Sequence, residues 1–248
     1  MDRYTHAVIV FLLLAAPTFG QSIMGAGHRK VGVGGGGSTI AFLNTNTMQE
    51  SATNSVTDST NMSVTAGGSH KVVFLLVTFD GAGAAISSAT YGGNSMTSCG
   101  AAIQNAVLNI FAQIFALDSP PTGLNTLVIT GNGSITDLHY NMASFTGADT
   151  TLACPVRSGS YTTDGSKVAD PSAEIITIPS DVNDLTISVL ESTNGPITTN
   201  QTSIGSSTAG VNFASCDRAT TAGASVTHSW SYSGNSSIAI AGLSIKHA

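Results

Sequence analysis

The feature that most constrains this chain is a series of short apolar runs separated by glycine, proline, asparagine and aspartate. Runs such as KVVFLLVTF, TLVIT and SIAIAGLSI are each about as long as one β-strand, and they are rich in β-branched and aromatic residues. This pattern predicts many short strands joined by turns. We therefore predict an all-β protein, an antiparallel β-sandwich of the jelly-roll or immunoglobulin-like kind, with about ten to twelve short strands.

Three segments carry specific strand or turn signals. KVVFLLVTF is apolar at both alternating sets of positions, which predicts a central strand covered on both faces. TYGGNSMT places Gly92 and Gly93 where a hairpin needs positive φ angles. ALDSPPTGLNTLVIT predicts a second hairpin, because Pro120 and Pro121 cannot donate to a strand ladder and Gly123 permits a reversal.

Residues 101–118, AAIQNAVLNIFAQIFALD, fit two structures. The apolar positions have helical spacing, and they also form a β-branched and aromatic run that leads directly into the proline turn. We favour a strand for the second half of this segment and keep an amphipathic helix as the alternative.

The N-terminus resembles a secretory signal peptide over residues 1–20. Arg3 precedes an apolar run from Ala7 to Ala16 that is too short to cross a bilayer, and Gly20 suits the position before cleavage. Residues 21–37 are glycine-rich and predict a flexible leader, and residues 38–248 then form a single sandwich domain. The expected location is secreted, extracellular or at the cell surface, with no membrane span after cleavage.

The charge of the chain argues against a nucleic-acid partner, and the sequence around the leader argues against a dinucleotide cofactor. Eight Lys and Arg against fourteen Asp and Glu give a net charge of −6, with no basic cluster suited to nucleic acid. The leader contains GxGxxG at Gly32, Gly34 and Gly37, but no strand precedes it and no helix pattern follows, as a dinucleotide site requires. We predict neither a nucleic-acid partner nor a cofactor.

Secretion places the three cysteines in an oxidising compartment, where one disulfide can form. We favour Cys154 with Cys216, because both lie in polar, turn-rich stretches, while Cys99 leaves two other pairings open. Three unpaired cysteines remain an equal alternative. No cysteine and histidine spacing of the zinc-finger type occurs, and we predict no metal site.

No nucleophile motif is present, so we predict that the protein is not an enzyme. His139 and His228 fall on predicted strands, and His228 shares a face with Trp230 by alternation. Asp80 and other loop aspartates are interpreted as solvated turn residues, with paired acids of a glycosidase or calcium ligands as alternatives.

Aromatic residues and sequons provide the remaining candidate sites. Exposed rings could stack on sugars, and the candidates for this role are Trp230, Tyr232, Tyr140 and Tyr161. For Trp230 we expect burial on a strand instead, because the chain has a single tryptophan. Sequons permit N-glycosylation at Asn61, Asn132, Asn200 and Asn235. This number of sequons is no greater than chance gives for a chain of this composition.

The ordered series VVFLLVTFDG, ATYGGNSMT, IFALDSPPTGLNTLVIT, MASFTGAD and SIAIAGLSIK resembles recurrent secreted Ser/Thr/Gly-rich β-sandwich modules. Such modules occur in bacterial surface proteins and phage structural proteins, and the similarity spans residues 39–245. It implies a fold built from turns and core strands. It brings no catalytic residues with it.

Only 9% of residues are charged, and surfaces with little charge let β-domains approach one another closely. We therefore predict a secreted, non-enzymatic structural or surface protein that assembles with copies of itself or with other surface or particle proteins. The segment STIAFL could pair with a neighbour's sheet edge, although pairing within its own domain is favoured. A carbohydrate-binding or adhesive module with glycan partners is the alternative, and a glycan hydrolase is the second alternative.

Overall fold

The computed structural model describes residues 39–105, 107–132, 134–156, 159–164, 173–208, 212–220, 223–234 and 236–248. The predicted signal peptide and leader lie outside these residues and stay predictions. The described residues form strands, turns and irregular segments, and none belongs to a helix. No helix of sufficient length and hydrophobicity to span a membrane occurs in this described part.

The strands of the first half of the chain are β1 Ala41–Thr45, β2 Gln49–Ser51, β3 Ser55–Asp58, β4 Ser63–Val64, β5 Val72–Asp80, β6 Ala85–Tyr91, β7 Asn94–Ser95, β8 Thr97–Ser98, β9 Ile103–Asn105, β10 Ile110–Asp118, β11 Gly123–Leu124, β12 Leu127–Asn132 and β13 Asp137–Thr146. The strands of the second half are β14 Thr162–Asp164, β15 Ala173–Pro179, β16 Leu185–Ser192, β17 Thr198–Thr199, β18 Thr202–Ser207, β19 Phe213–Thr220, β20 Ser225–Ser231 and β21 Ile238–Ile245. This is more than the expected ten to twelve, because several are only two or three residues long.

The described strands pair antiparallel and form several sheets. Sheet I has seven strands in the order β1-β13-β5-β10-β8, with β2 beside β13 and β9 beside β10. Sheet II has the order β3-β12-β6-β7, and β4 and β11 form a separate pair. Sheet III has the order β14-β21-β16-β19-β18, and sheet IV has the order β15-β20-β17. The first half of the chain therefore builds sheets I and II, and the second half builds sheets III and IV.

Three apolar cores join these sheets face to face. Sheets I and II share a core that contains Leu75 and Leu127. Sheets I and III share one that contains Phe74 and Val189, and sheets III and IV share one built around Trp230. Sheets I and III thus have apolar cores on both faces, which explains why their central strands are apolar at successive positions.

The expectation of a central strand is confirmed by β5. It lies between β13 and β10, and its residues from Val72 to Phe79 are all buried. Alternate side chains enter different cores, since Leu75 faces sheet II and Leu76 faces sheet III.

The TYGG hairpin is confirmed, whereas the second predicted hairpin is wrong. Tyr91 pairs with Asn94, and Gly92 and Gly93 have φ angles of 57° and 79° that favour glycine. Among the described residues, strand β10 pairs only with strands of sheet I, and β12 pairs with β3 and β6 in sheet II. The proline segment therefore carries the chain from one sheet to the next instead of reversing it within one sheet.

The two remaining local predictions concern residues 101–118 and the STIAFL segment. The strand assignment for the second half of 101–118 is confirmed by β10, and the helix alternative is wrong. Strand β1 pairs within its own domain, with Phe42 opposite Phe145 on β13. The guanidinium carbon of Arg218 lies 4.2 Å from the centre of the Phe42 ring, which connects β1 to sheet III as well.

Candidate functional site

Three carboxylates meet at one end of the interface between sheets I and III. Asp80 ends β5 and lies opposite Asp137, which begins β13, while Glu191 approaches from β16. The Asn212 amide Nδ2 donates to Glu191 Oε1 over 2.8 Å and to Asp80 Oδ2 over 3.4 Å. Its backbone N donates to Asp137 Oδ2 over 3.3 Å. One asparagine therefore connects acids from both halves of the chain.

Burial raises the pKa of the Glu191 carboxyl well above its ordinary value. The negative charges of Asp137 and Asp80 raise this pKa further, whereas the nearby Thr78 hydroxyl and the hydrogen bond from the Asn212 amide oppose the shift. Desolvation is the larger cause, since Glu191 is fully buried. Strongly shifted carboxyls in clusters of this kind are candidates for ligand binding or chemistry.

A second group of side chains adjoins this cluster through Asp137. One ligand atom each of Glu50, Asp137 and His139 lies within 4.8 Å of the other two. Glu50 lies on β2 opposite His139, and Asp137 precedes His139 by two residues on the same face of β13. His139 Nε2 lies 3.9 Å from Asp137 Oδ1. Two carboxylates and an imidazole are ligand types that divalent metals accept.

A small cavity lies beside the carboxylates. It has a volume of about 260 Å³ and is lined by Asp80, Leu108, Ile110, Thr193 and Asn212. This volume is slightly below the range of roughly 300–1,000 Å³ that is usual for small-molecule sites.

A separate polar network lies between sheets III and IV. Asp217 Oδ1 accepts hydrogen bonds from Ser188 Oγ over 2.6 Å and from His228 Nδ1 over 2.6 Å. His228 Nε2 lies 2.8 Å from Thr186 Oγ1, and Thr199 Oγ1 donates to Asp217 Oδ2. The order hydroxyl, imidazole, carboxylate matches the arrangement that activates a nucleophile.

Burial determines what this network can do. Thr186, Ser188, Asp217 and His228 have no exposed surface, whereas a nucleophile must be reached by its substrate. Since His228 and Thr199 belong to sheet IV and their partners belong to sheet III, we interpret the network as a polar connection between these two sheets.

The predicted sugar-stacking residues offer few exposed ring faces. Trp230 and Tyr232 are buried in the core between sheets III and IV, and burial of Trp230 on a strand is confirmed. Tyr140 is buried, its hydroxyl donates to Asp58 Oδ2 over 3.2 Å, and desolvation raises its pKa. Tyr161 is partly buried with its ring against Gly100, and desolvation raises its pKa to about 12.

The prediction that Cys154 pairs with Cys216 is wrong. Cys154 is bonded to Cys99, with the two Cα atoms 5.5 Å apart. Cys216 is a free, fully buried thiol on β19, where it faces sheet I beside Asn141. Burial raises the pKa of this thiol to about 12. A residue in a turn-rich stretch can therefore still belong to a core strand.

Three of the four sequon asparagines lie in the described residues and are exposed, namely Asn61, Asn132 and Asn200. The Asn61 amide donates to both carboxylate oxygens of Asp58, and Asn200 Oδ1 accepts from the backbone N of Ser229. Asn235 lies outside the described residues. Glycosylation at all four stays a prediction.

The sequence interpretation identified Asp80 and His139 but missed Glu50, Asp137 and Glu191. A signal for Glu191 was present, because it continues the alternation of Ile187 and Val189, whose side chains face sheet I. An acid at such an inward position requires a partner or a raised pKa. Neither its distance from Asp137 nor the pairing of β2 with β13 is visible in the sequence.

No protein family, curated protein or solved structure matches this chain.

Proposed function

We propose that the protein is a secreted, non-enzymatic structural or surface protein that assembles through its β-sheets into a larger particle or filament. The observation that carries this proposal is the outer face of sheet IV, which has no charged side chain along the two strands β15 and β20. The outward side chains are Ala173, Ile175, Thr177, Pro179, Ser225, Thr227, Ser229 and Ser231.

This face suits contact with a second neutral surface. The net charge of −6 is carried elsewhere, so two copies can approach through sheet IV without placing like charges together. Ile175 is 55% exposed and contributes apolar area to the face. The surrounding hydroxyl groups can replace their hydrogen bonds to water with hydrogen bonds across the contact.

The size of the face indicates a weak contact. Two seven-residue strands with ordinary spacing give a surface about 23 Å long and about 10 Å wide. The result, about 230 Å², is well below the roughly 800 Å² per partner of a stable complex. We therefore infer an assembly in which several weak contacts act together.

Export and the sandwich architecture belong to the same proposal. The Cys99–Cys154 disulfide supports an oxidising compartment, as does the signal-like sequence at residues 1–20. The apolar cores between facing sheets support a β-sandwich of the jelly-roll or immunoglobulin-like kind.

Sedimentation velocity over a wide protein concentration range tests the proposal, with Thr227→Lys as the variant. Thr227 lies near the middle of the face, 3.4 Å from Thr177 between hydroxyl oxygens. Lysine reduces the magnitude of the net charge, so lost assembly would reflect local desolvation of the new charge rather than overall repulsion. We expect concentration-dependent oligomers for the natural protein and monomers for the variant.

Thr130→Lys is the matched control, because Thr130 is an exposed residue on β12 of sheet II. We expect it to assemble like the natural protein. A natural protein that stays monomeric throughout would contradict assembly, and loss of oligomers in Thr130→Lys alone would assign the contact to sheet II.

A further inference from the structure

A metal ion would fit between Glu50, Asp137 and His139. Their ligand atoms lie within 4.8 Å of one another, so an ion at the centre is at most about 2.8 Å from each. Small side-chain rotations then reach the 2.0–2.2 Å typical of nitrogen and oxygen ligands of Zn²⁺, on the order of an ångström or less of movement. The three residues come from two paired strands of sheet I, which holds their spacing.

An independent observation comes from sheet III. Glu191 is fully buried, and its Oε2 atom has no hydrogen-bond partner among the described residues. Thr78 lies opposite His139 in the sheet register, and its buried hydroxyl also lacks a partner there. Asn212 donates from its side chain to Glu191 Oε1 and from its backbone N to Asp137 Oδ2, so the two carboxylates lie near each other. A buried carboxylate with one oxygen outside hydrogen-bonding geometry therefore lies beside Asp137 of this group.

The local charge favours a cation. Ligand atoms of Glu50 and Asp137 lie within 4.8 Å of each other, and Asp80 pairs with Asp137. Asn212 links Asp137 to Glu191 by hydrogen bonds to both. A divalent ion placed beside these carboxylates would offset their negative charges.

We propose that Glu50, Asp137 and His139 bind a divalent first-row transition metal ion such as Zn²⁺. The imidazole distinguishes this set from calcium sites, which use oxygen ligands alone. The ion would connect β2 with β13 in sheet I.

The experiment uses chelator-treated full-length protein titrated with Zn²⁺ by calorimetry and with Co²⁺ by visible absorption. We expect one ion per chain, a rise in Tm on binding, and a cobalt spectrum of nitrogen and oxygen ligation. Glu50 reaches solvent on the short strand β2, so Glu50→Gln should fold normally. We expect it to weaken Zn²⁺ binding at least about ten-fold and to reduce the Tm rise.

Asp118→Asn is the matched control, since Asp118 pairs with Val72 at the opposite end of β5 from Asp80. It should bind Zn²⁺ like the natural protein. Unchanged affinity in Glu50→Gln, or Ca²⁺ binding as tight as Zn²⁺ binding, would overturn the proposal. A cobalt–thiolate band would assign the ion to Cys216 and would overturn it as well.

Discussion

The imidazole of His228 and the carboxylate of Asp217 form a 2.6 Å hydrogen bond at a place where neither side chain has any exposed surface. His228 extends inward from sheet IV, and Asp217 extends outward from sheet III to meet it. Thr186 Oγ1 is hydrogen-bonded to the other imidazole nitrogen, Nε2, so both nitrogens of the ring have a partner. This pair fixes the position of one sheet on the other by directional bonds that apolar packing alone lacks.

Asp217→Ala should lower the free energy of unfolding by about 3–5 kcal/mol, because it leaves His228 and two hydroxyl groups buried without their acceptor. Urea denaturation followed by circular dichroism measures this change. Ser188→Ala removes one neutral donor from the same network and should lower it by only about 1 kcal/mol. Equal effects of the two substitutions would contradict a central role for the Asp217 carboxylate.

The sequence predicted strands better than it predicted which strands meet. The apolar pattern of β5 identified a buried central strand, and alternation correctly placed His228 and Trp230 on one face. The partner of His228 could not be found in this way, because Asp217 belongs to a different sheet. The segment around Pro120 shows the same limit, since a turn signal does not state whether the chain reverses within one sheet or crosses to the next.

The candidate metal site shows why charged residues were harder to interpret. Asp137 begins a strand after an irregular segment and Glu50 lies on a strand of three residues, so both have the local pattern of solvated side chains. Their approach to His139 and Glu191 depends on the pairing of β2 with β13 and on the packing of sheet III against sheet I. These are long-range contacts that one sequence does not specify.

Trp230→Ala should lower the free energy of unfolding by about 3–5 kcal/mol, because Trp230 fills the core between sheets III and IV with no exposed surface. Chemical denaturation measures the loss. Ile175→Ala is the control, since Ile175 lies on the neighbouring strand but on the outer face, and it should change stability by less than about 0.5 kcal/mol. A fully stable Trp230→Ala protein would show that this core tolerates a large cavity.

Removal of the Cys99–Cys154 disulfide by Cys154→Ser should lower the free energy of unfolding by about 4 kcal/mol. The bond closes a loop with a sequence separation of 55 residues, and the loss follows from the added conformational entropy of the unfolded chain. Thermal and urea denaturation measure it, and peptide mapping under non-reducing conditions checks the pairing. Cys216→Ser keeps the disulfide and serves as the control. Recovery of a Cys154–Cys216 peptide would contradict the structure.

The ion pair between Asp149 and Lys246 should give a pH-dependent contribution to stability. Lys246 Nζ lies 2.7 Å from Asp149 Oδ2, and this bond together with that of Thr151 Oγ1 lowers the pKa of Asp149 from 3.8 to about 2. The Asp149 carboxylate is therefore protonated at a lower pH in the folded state than in the unfolded state. The contribution is complete above about pH 4 and is lost as the pH falls through about 2.

We expect this contribution to be less than about 1 kcal/mol, because the Lys246 side chain is 45% exposed and solvent weakens the attraction. A double-mutant cycle with Asp149→Asn and Lys246→Met, measured by urea denaturation from neutral pH downward, isolates the coupling between the two charges. The coupling should decrease toward zero as the pH approaches about 2, and it should also weaken in high salt at neutral pH. A coupling that stays constant over this pH range would show that ionised Asp149 does not provide it.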